Sequence, residues 1–404
     1  MRASKEFRLN NNSYLIINSG SSSLKFSLFI GDNSEADLTG IAERLATEQA
    51  EISWKYQGQK SEVKLADADH AQVLKKLFAV LSELNLFDSL TAIGHRVVHG
   101  GEYFKESALI TPNVLNKIEA CSALAPLHNP AAITGIKAVT EQLPDIPQVA
   151  VFDTAFHQTM PAHAYLYGLP YELYQSQGIR KYGFHGTSHQ YVANKAVEIL
   201  GLDKADSGVI TAHLGNGCSI SAVQNGLSVD TSMGFTPLEG VMMGTRSGDI
   251  DPSIHQFLAN KLKLSLTEIT DLLNKRSGLL GISGSSNDMR TLSAQAANGD
   301  KQAELAIEVF AYRLAKSIAS MLAGLSRFDA LVFTGGIGEN SFLVRGKVLN
   351  HLAVLGFELD EKLNNKGGDE LGLVTTQASR KAIIVQTQEE WVIAQDTIRL
   401  TQPA

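Results

Sequence analysis

Tyr14-Leu-Ile-Ile-Asn18-Ser-Gly-Ser-Ser-Ser23-Leu-Lys-Phe-Ser-Leu-Phe-Ile30 holds two short β-type runs joined by a turn of small hydroxylated residues. Residues 14–17 read as a buried strand. Residues 24–30 return as a second, with Phe26, Leu28 and Ile30 at period two on one face. In the turn, Gly20 allows close backbone approach, the serines donate hydroxyls and Lys25 supplies positive charge, which together suit a phosphate. As purely local structure the same residues make a polar hairpin turn. They do not make a Walker loop, because the GxxxxGK[ST] spacing is missing. A second unit of the same form follows at 209–214, Gly215-Asn216-Gly217 and 219–223. Two hairpins with glycine-rich turns point to two related halves, each offering backbone N–H groups to an anion. Two unrelated hairpins would leave the same trace.

Outward from these hairpins, β-rich runs at 149–152, 331–334 and 382–385 alternate with longer helical stretches, an α/β pattern. The clearest helix runs from about 302 to 325, with Ala306, Phe310, Leu314, Ile318 and Leu322 at every fourth position and Gly324 near its end. Pro126, Pro130, Pro144 and Pro147 break up the region before residue 150, and a domain boundary is expected just after them. The chain of 404 residues fits two or three domains at about 150 residues each.

Composition excludes several classes. With 44% apolar and 19% charged residues the chain is ordinary globular material, not disordered, collagenous or coiled coil. A net charge of −7 gives no general attraction to nucleic acid or an anionic membrane, so any bound anion needs a local site. Cys121 and Cys218 cannot build a disulfide framework and fit a reducing compartment. Residues 14–17 are too short for a signal-peptide core, and no stretch reaches the ~18 apolar residues of a membrane span. A cytoplasmic protein is the expectation, with a disordered or tag-like tail of 11 residues or so ahead of the first strand.

Three further motifs carry chemistry. Gly335-Gly-Ile-Gly-Glu-Asn-Ser341 leaves a strand and partly matches GxGxxG, with Glu358 roughly where a ribose-binding acid would stand; this dinucleotide signal competes with the phosphate reading. His185-Gly-Thr-Ser-His189 has the i, i+4 spacing of a zinc pair. It lacks the HExxH glutamate and contains Gly186, so it reads better as a helix start with a histidine presented at its N-terminal end. Finally, Arg96, His128, His213 and Arg246 each sit in a short glycine- or proline-marked context, and Asp153 ends the strand at 149–152 in Phe-Asp-Thr-Ala-Phe-His157. Any one of them alone reads as a structural ion pair. Together, beside two phosphate-type turns, they point to phosphoryl transfer.

These residues closely resemble the acetate kinase family, from Tyr14 to Thr401. The resemblance rests on Asn18-Ser-Gly-Ser-Ser-Ser-Leu-Lys-Phe26, Gly183-Phe-His-Gly-Thr-Ser-His189, His213-Leu-Gly-Asn-Gly217, Met243-Gly-Thr-Arg-Ser-Gly-Asp-Ile-Asp-Pro252, Phe333-Thr-Gly-Gly-Ile-Gly-Glu-Asn340 and Glu389-Glu-Trp-Val-Ile-Ala-Gln-Asp396, in the family's order. Matches of this length outweigh the partial dinucleotide fingerprint. The resemblance implies an α/β protein of two actin-like, ribonuclease H-like domains with a nucleotide cleft between them. These would be residues 1–154, rejoined by the C-terminal segment 386–404, and residues 155–385. It implies a homodimer that reversibly phosphorylates acetate to acetyl phosphate with ATP and Mg²⁺, Mn²⁺ being the alternative ion. A propionate or butyrate kinase, or a non-catalytic actin-like nucleotide-binding module, are the competing readings.

By the same resemblance, Arg96 and Arg246 grip the carboxylate and the transferring phosphoryl oxygens, and His185 donates to those oxygens with His128 and His213 beside it. Asp153 matches the family's catalytic acid. Acetate is already ionised at pH 7 and has no proton to lose, so orientation of an arginine or of the attacking carboxylate is the more physical role. Asn18 and Glu389 match the magnesium positions. Lys25, His213, Leu214, Gly215, Asn216, Gly217, Asp288, Met289, Arg290, Gly336, Ile337, Gly338, Glu339 and Asn340 match nucleotide contacts. Val98, Leu127, Phe184 and Pro237 match an apolar pocket for the substrate methyl.

Overall fold

A computed structural model describes residues 12–126 and 128–402. The N-terminal tail and Leu127 of the methyl pocket lie outside the described residues. The chain divides into two compact units, one of the described residues up to Ala155 and from Gln388 onward, the other Phe156–Thr387.

In the first unit the opening hairpin is the strand pair Ser13–Ser19 and Ser23–Ile30, antiparallel, with Asn18 opposite Lys25 and Ile17 opposite Phe26. Ser13–Ser19 also runs parallel to Leu90–Val97, which runs parallel to Gln148–Phe152. Leu38–Glu43 pairs antiparallel on the outer side of Ser23–Ile30, followed by Glu51–Tyr56 and Gln59–Lys64, and the short Ala108–Leu109 closes the other edge. Side-chain alternation gives this sheet two apolar faces. Leu15, Ile17, Leu24, Phe26, Leu28 and Ile93 pack beneath helices His70–Glu83 and Asn129–Gln142. The opposite set, Tyr14, Ile16, Ala92 and Gly94, takes the C-terminal helix Glu389–Thr401. That helix sits so close that a Cβ on Gly94 would strike Thr397 and Ile393, so only glycine fits there.

The second unit repeats the plan. Gly208–Leu214 and Cys218–Gln224 form the hairpin, Leu227–Thr231 pairs antiparallel outside it, and Gly208–Leu214 runs parallel to Ala330–Thr334, which runs parallel to Lys381–Ile384. The five central strands of the first unit have the same order and directions. The repeat legible in two hairpins is therefore a repeat of two whole sheets, and the architecture is the two-domain actin-like α/β fold. Helix Gly186–Ile199 covers one face, burying Val192, Ala193, Ala196 and Val197, and Lys301–Met321 is the long amphipathic helix expected near 302–325. Among the described residues no helix is long and apolar enough to cross a membrane.

Candidate active site

Arg96 belongs to a central strand, not to the glycine-rich turn its neighbours Gly94, Gly100 and Gly101 suggest. It shares the Gly94 face, two residues beyond the point where the C-terminal helix touches the sheet. Asp153 follows the adjacent strand directly and is 1% exposed. The two meet in a bidentate fork, Arg96 donating from Nε to Asp153 Oδ1 at 2.9 Å and from Nη2 to Oδ2 at 2.6 Å. Burial works against the guanidinium's charge, but the Asp153 carboxylate, its hydrogen bonds and the more remote Glu389 outweigh it, so Arg96 is held above its usual value. Glu389 opens the C-terminal helix, where a carboxylate favours the helix dipole. Its neighbour Glu390 accepts from Ser27 Oγ at 2.8 Å. Asn18, half-buried, and Lys25, exposed, lie opposite one another at the end of the hairpin. Asn18, Lys25, Arg96, Asp153 and Glu389 thus gather at one end of one face of this sheet. His128 precedes helix Asn129–Gln142 and is exposed, and Val98, half-buried, leaves the Arg96 strand.

The second unit holds the other expected residues. His185 stands just before helix Gly186–Ile199 in the left-handed region, φ 56°, a strained conformation for a non-glycine residue that turns its ring away from the helix. The ring stacks on His213 with centroids 4.3 Å apart, and its Nδ1 lies 2.8 Å from Ser219 Oγ. His213 Nδ1 is 2.8 Å from Ser188 Oγ. His185 and His189 share the Ser219 hydroxyl, and no group of three metal-type side chains occurs among the described residues. Arg246 donates from Nη1 to Pro237 O at 2.8 Å. Burial lowers its pKa, since no carboxylate among the described residues pairs with it. Phe184, which leads into His185, is 1% exposed. Its carbonyl accepts from His157 Nε2 at 3.0 Å.

A model of the Acetokinase family matches residues 13–395. The acetate kinase of Chromobacterium violaceum is 51% identical over 393 residues, covering 96% of this chain and 98% of that one. Among solved structures, a propionate kinase from Francisella tularensis superposes with a TM-score of 0.92 at 49% identity, over 96% of this chain and all of that one. The acetate kinase of Porphyromonas gingivalis gives 0.91 at 41% identity, over 97% and 100%. The chain belongs to the acetokinase family.

In this acetokinase fold the expected nucleotide residues divide by what their side chains already do. Leu214 ends a strand at 0% exposure, and Gly215 N donates to Gly217 O at 3.0 Å, closing the hairpin turn. Asn216 Oδ1 accepts from Asn287 Nδ2 at 3.2 Å. Asp288 caps helix Met289–Ala297, and the Arg290 hydrogen bonds, with the cap N–H groups, pull its carboxyl down to about 2. Gly336, Ile337, Gly338, Glu339 and Asn340 form one short helix after Ala330–Thr334. Glu339 is committed inward, accepting from Gly335 N at 2.9 Å and Thr387 N at 3.2 Å. It shapes the turn from within. Buried Arg345, which the sequence did not single out, braces the same turn from Nη1 to Gly338 O at 2.8 Å and Glu339 O at 2.9 Å.

Gly217 is where the second group converges. A Cβ there would lie 2.9 Å from Arg246 Nη2 and 3.3–3.4 Å from the His185 ring. Gly217→Ala is expected to lower kcat by roughly tenfold to a hundredfold, because displacement of two donors by a fraction of an ångström degrades alignment. Its melting temperature should stay close to wild type. Steady-state kinetics beside thermal melts would check both halves.

Proposed function

We propose that this chain catalyses reversible phosphorylation of acetate by ATP to give ADP and acetyl phosphate, by direct in-line transfer. Family membership across the chain supports the reaction. The observation that carries the mechanism is the Arg96–Asp153 fork. An anionic nucleophile must approach an anionic phosphoryl group, so the reaction needs fixed cations and donors more than it needs a base. Asp153, spent on Arg96 and almost fully buried, acts by aiming the guanidinium. Arg96 grips the acetate carboxylate. Arg246 and His185 donate to the phosphoryl oxygens, and His128 and His213 add donors beside them. Val98, Phe184 and Pro237 are the apolar residues proposed for the substrate methyl. Lys25, the 213–217 hairpin, residues 288–290 and the 336–340 turn hold the nucleotide.

Magnesium fits Asn18 and Glu389. One amide oxygen and one carboxylate suit a hard cation that keeps water and takes phosphate oxygens, and Mn²⁺ would use the same donors. When bound, the ion neutralises charge on those oxygens. A homodimer is supported by helix Ser253–Leu262, which buries none of its residues and exposes Ile254 and Phe257 by 38% and 64%. Two unlinked buried cysteines support a cytoplasmic setting.

The propionate kinase named among the similar structures favours one second reading, a wider acyl pocket. One methylene is worth about 1–3 kcal/mol, so the two acids differ in degree. The test is an acyl-hydroxamate assay with purified protein, Mg-ATP, hydroxylamine and acetate, propionate or butyrate. Strong colour with acetate is expected. Colour only with the longer acids would shift the assignment to them. No colour in folded, ATP-binding protein would leave a binding module.

A further inference from the structure

Behind His185 runs a line of polar side chains that the transfer mechanism does not use. Ser219 Oγ lies 2.8 Å from His185 Nδ1 and 2.7 Å from His189 Nε2, and His189 Nδ1 lies 2.6 Å from Thr211 Oγ1. His189, Ser219 and Thr211 are all 0% exposed. Burial, helped by His157 and His213, drives His189 well below the ordinary imidazole value, so its ring is neutral with one N–H.

Two proton arrangements give every link of the line one donor and one acceptor. In one, His189 donates from Nδ1 to Thr211, Thr211 donates to Ser221 O, Ser219 donates to His189 Nε2, and His185 must hold its proton on Nδ1. In the other, every donation reverses: Thr211 to His189 Nδ1, His189 Nε2 to Ser219, and Ser219 to His185 Nδ1. The distances favour the second. Thr211 decides between them, because Ser221 O, the acceptor its proton would need in the first arrangement, lies 3.5 Å away, whereas His189 Nδ1 lies 2.6 Å away.

We propose that Thr211 and His189 are positioning residues which, through Ser219, hold His185 as the neutral tautomer with its proton on Nε2. This rests on the proposed phosphoryl transfer for its purpose. The Nε2 edge is the part of the ring that nears Arg246 at Gly217, so the relay makes His185 a donor there without charging it. Among the described residues, His213 and His157 lie beside these rings and Arg246 nears His185 at Gly217. Placing a second positive charge beside Arg246 would cost energy, which a neutral donor avoids.

The test reads the tautomer directly. In full-length protein labelled with ¹⁵N-histidine, the His185 signals, assigned by their loss in His185→Gln, should show a protonated Nε2 and a bare Nδ1. Thr211→Val, nearly isosteric, should mix the tautomers and lower kcat by about tenfold, while Thr211→Ser restores both. A wild-type His185 protonated on Nδ1 would overturn the proposal. So would Thr211→Val with unchanged signals and kcat, or Thr211→Ser as impaired as the valine variant. Should Thr211→Val not fold, the wild-type ring signals still decide. If the wild-type protein makes no acetyl phosphate, the functional reading fails and the ring signals still test the relay.

Discussion

Arg246→Ala is expected to lower kcat for acetyl phosphate formation by about 10³-fold and to leave the protein nearly as stable as before. The reason lies in how the side chain is held. Its Nη1 donates to the Pro237 carbonyl, and burial opposes its charge with no carboxylate among the described residues to offset the cost. Removing a buried charge of that kind relieves desolvation as much as it loses contacts, so the folded state suffers little. The transition state loses a donor aimed at developing charge. Arg246→Lys keeps the charge and loses the planar fork, so it should fall between, about 10–100-fold down. Steady-state kinetics and thermal melts decide. Wild-type turnover in Arg246→Ala would remove this residue from the proposed machinery.

Arg96 behaves in the opposite way. Arg96→Ala strands the Asp153 carboxylate, whose side chain is 1% exposed, and should cost about 3–5 kcal/mol of stability. Asp153→Ala leaves a guanidinium whose side chain is 23% exposed and can still reach water, so it should cost less, about 1–3 kcal/mol. Both should be inactive at the level of the assay. The double variant Arg96→Met, Asp153→Leu should recover much of the stability and none of the activity. Urea unfolding and the hydroxamate assay measure all of this. Equal costs for the two single variants would mean that the pair is not governed by burial.

The hairpins were readable because their strands are buried on both faces and their turns are built of glycine and serine. The strands expected at 14–17, 24–30, 209–214 and 219–223 emerge as Ser13–Ser19, Ser23–Ile30, Gly208–Leu214 and Cys218–Gln224. Gln59–Lys64 was not readable, since an edge strand with no buried side chain carries no apolar alternation. Leu90–Val97 hid for another reason. Gly94 and His95 look like turn chemistry, but Gly94 is required by the helix lying across it, and His95 is buried against Gln148 at 2.8 Å. Asn18, Lys25, His185, His213, Arg246 and Glu389 of the proposed site were legible through long motifs. The support behind them was not, because Thr211 and Ser219 look like ordinary β-formers until the fold sets them against His189.

The helix Glu389–Thr401 covers a sheet face whose first strand is Ser13–Ser19, so nearly the entire length of the chain separates the two. During translation the opening strands leave the ribosome long before their cover exists. Residues 156–387 can close their own core meanwhile, since that unit is continuous in sequence. The first unit waits with Tyr14, Ile16 and Gly94 exposed until Glu389–Thr401 has emerged. A nascent chain stalled short of residue 389 would therefore be a substrate for chaperones and not a partial enzyme.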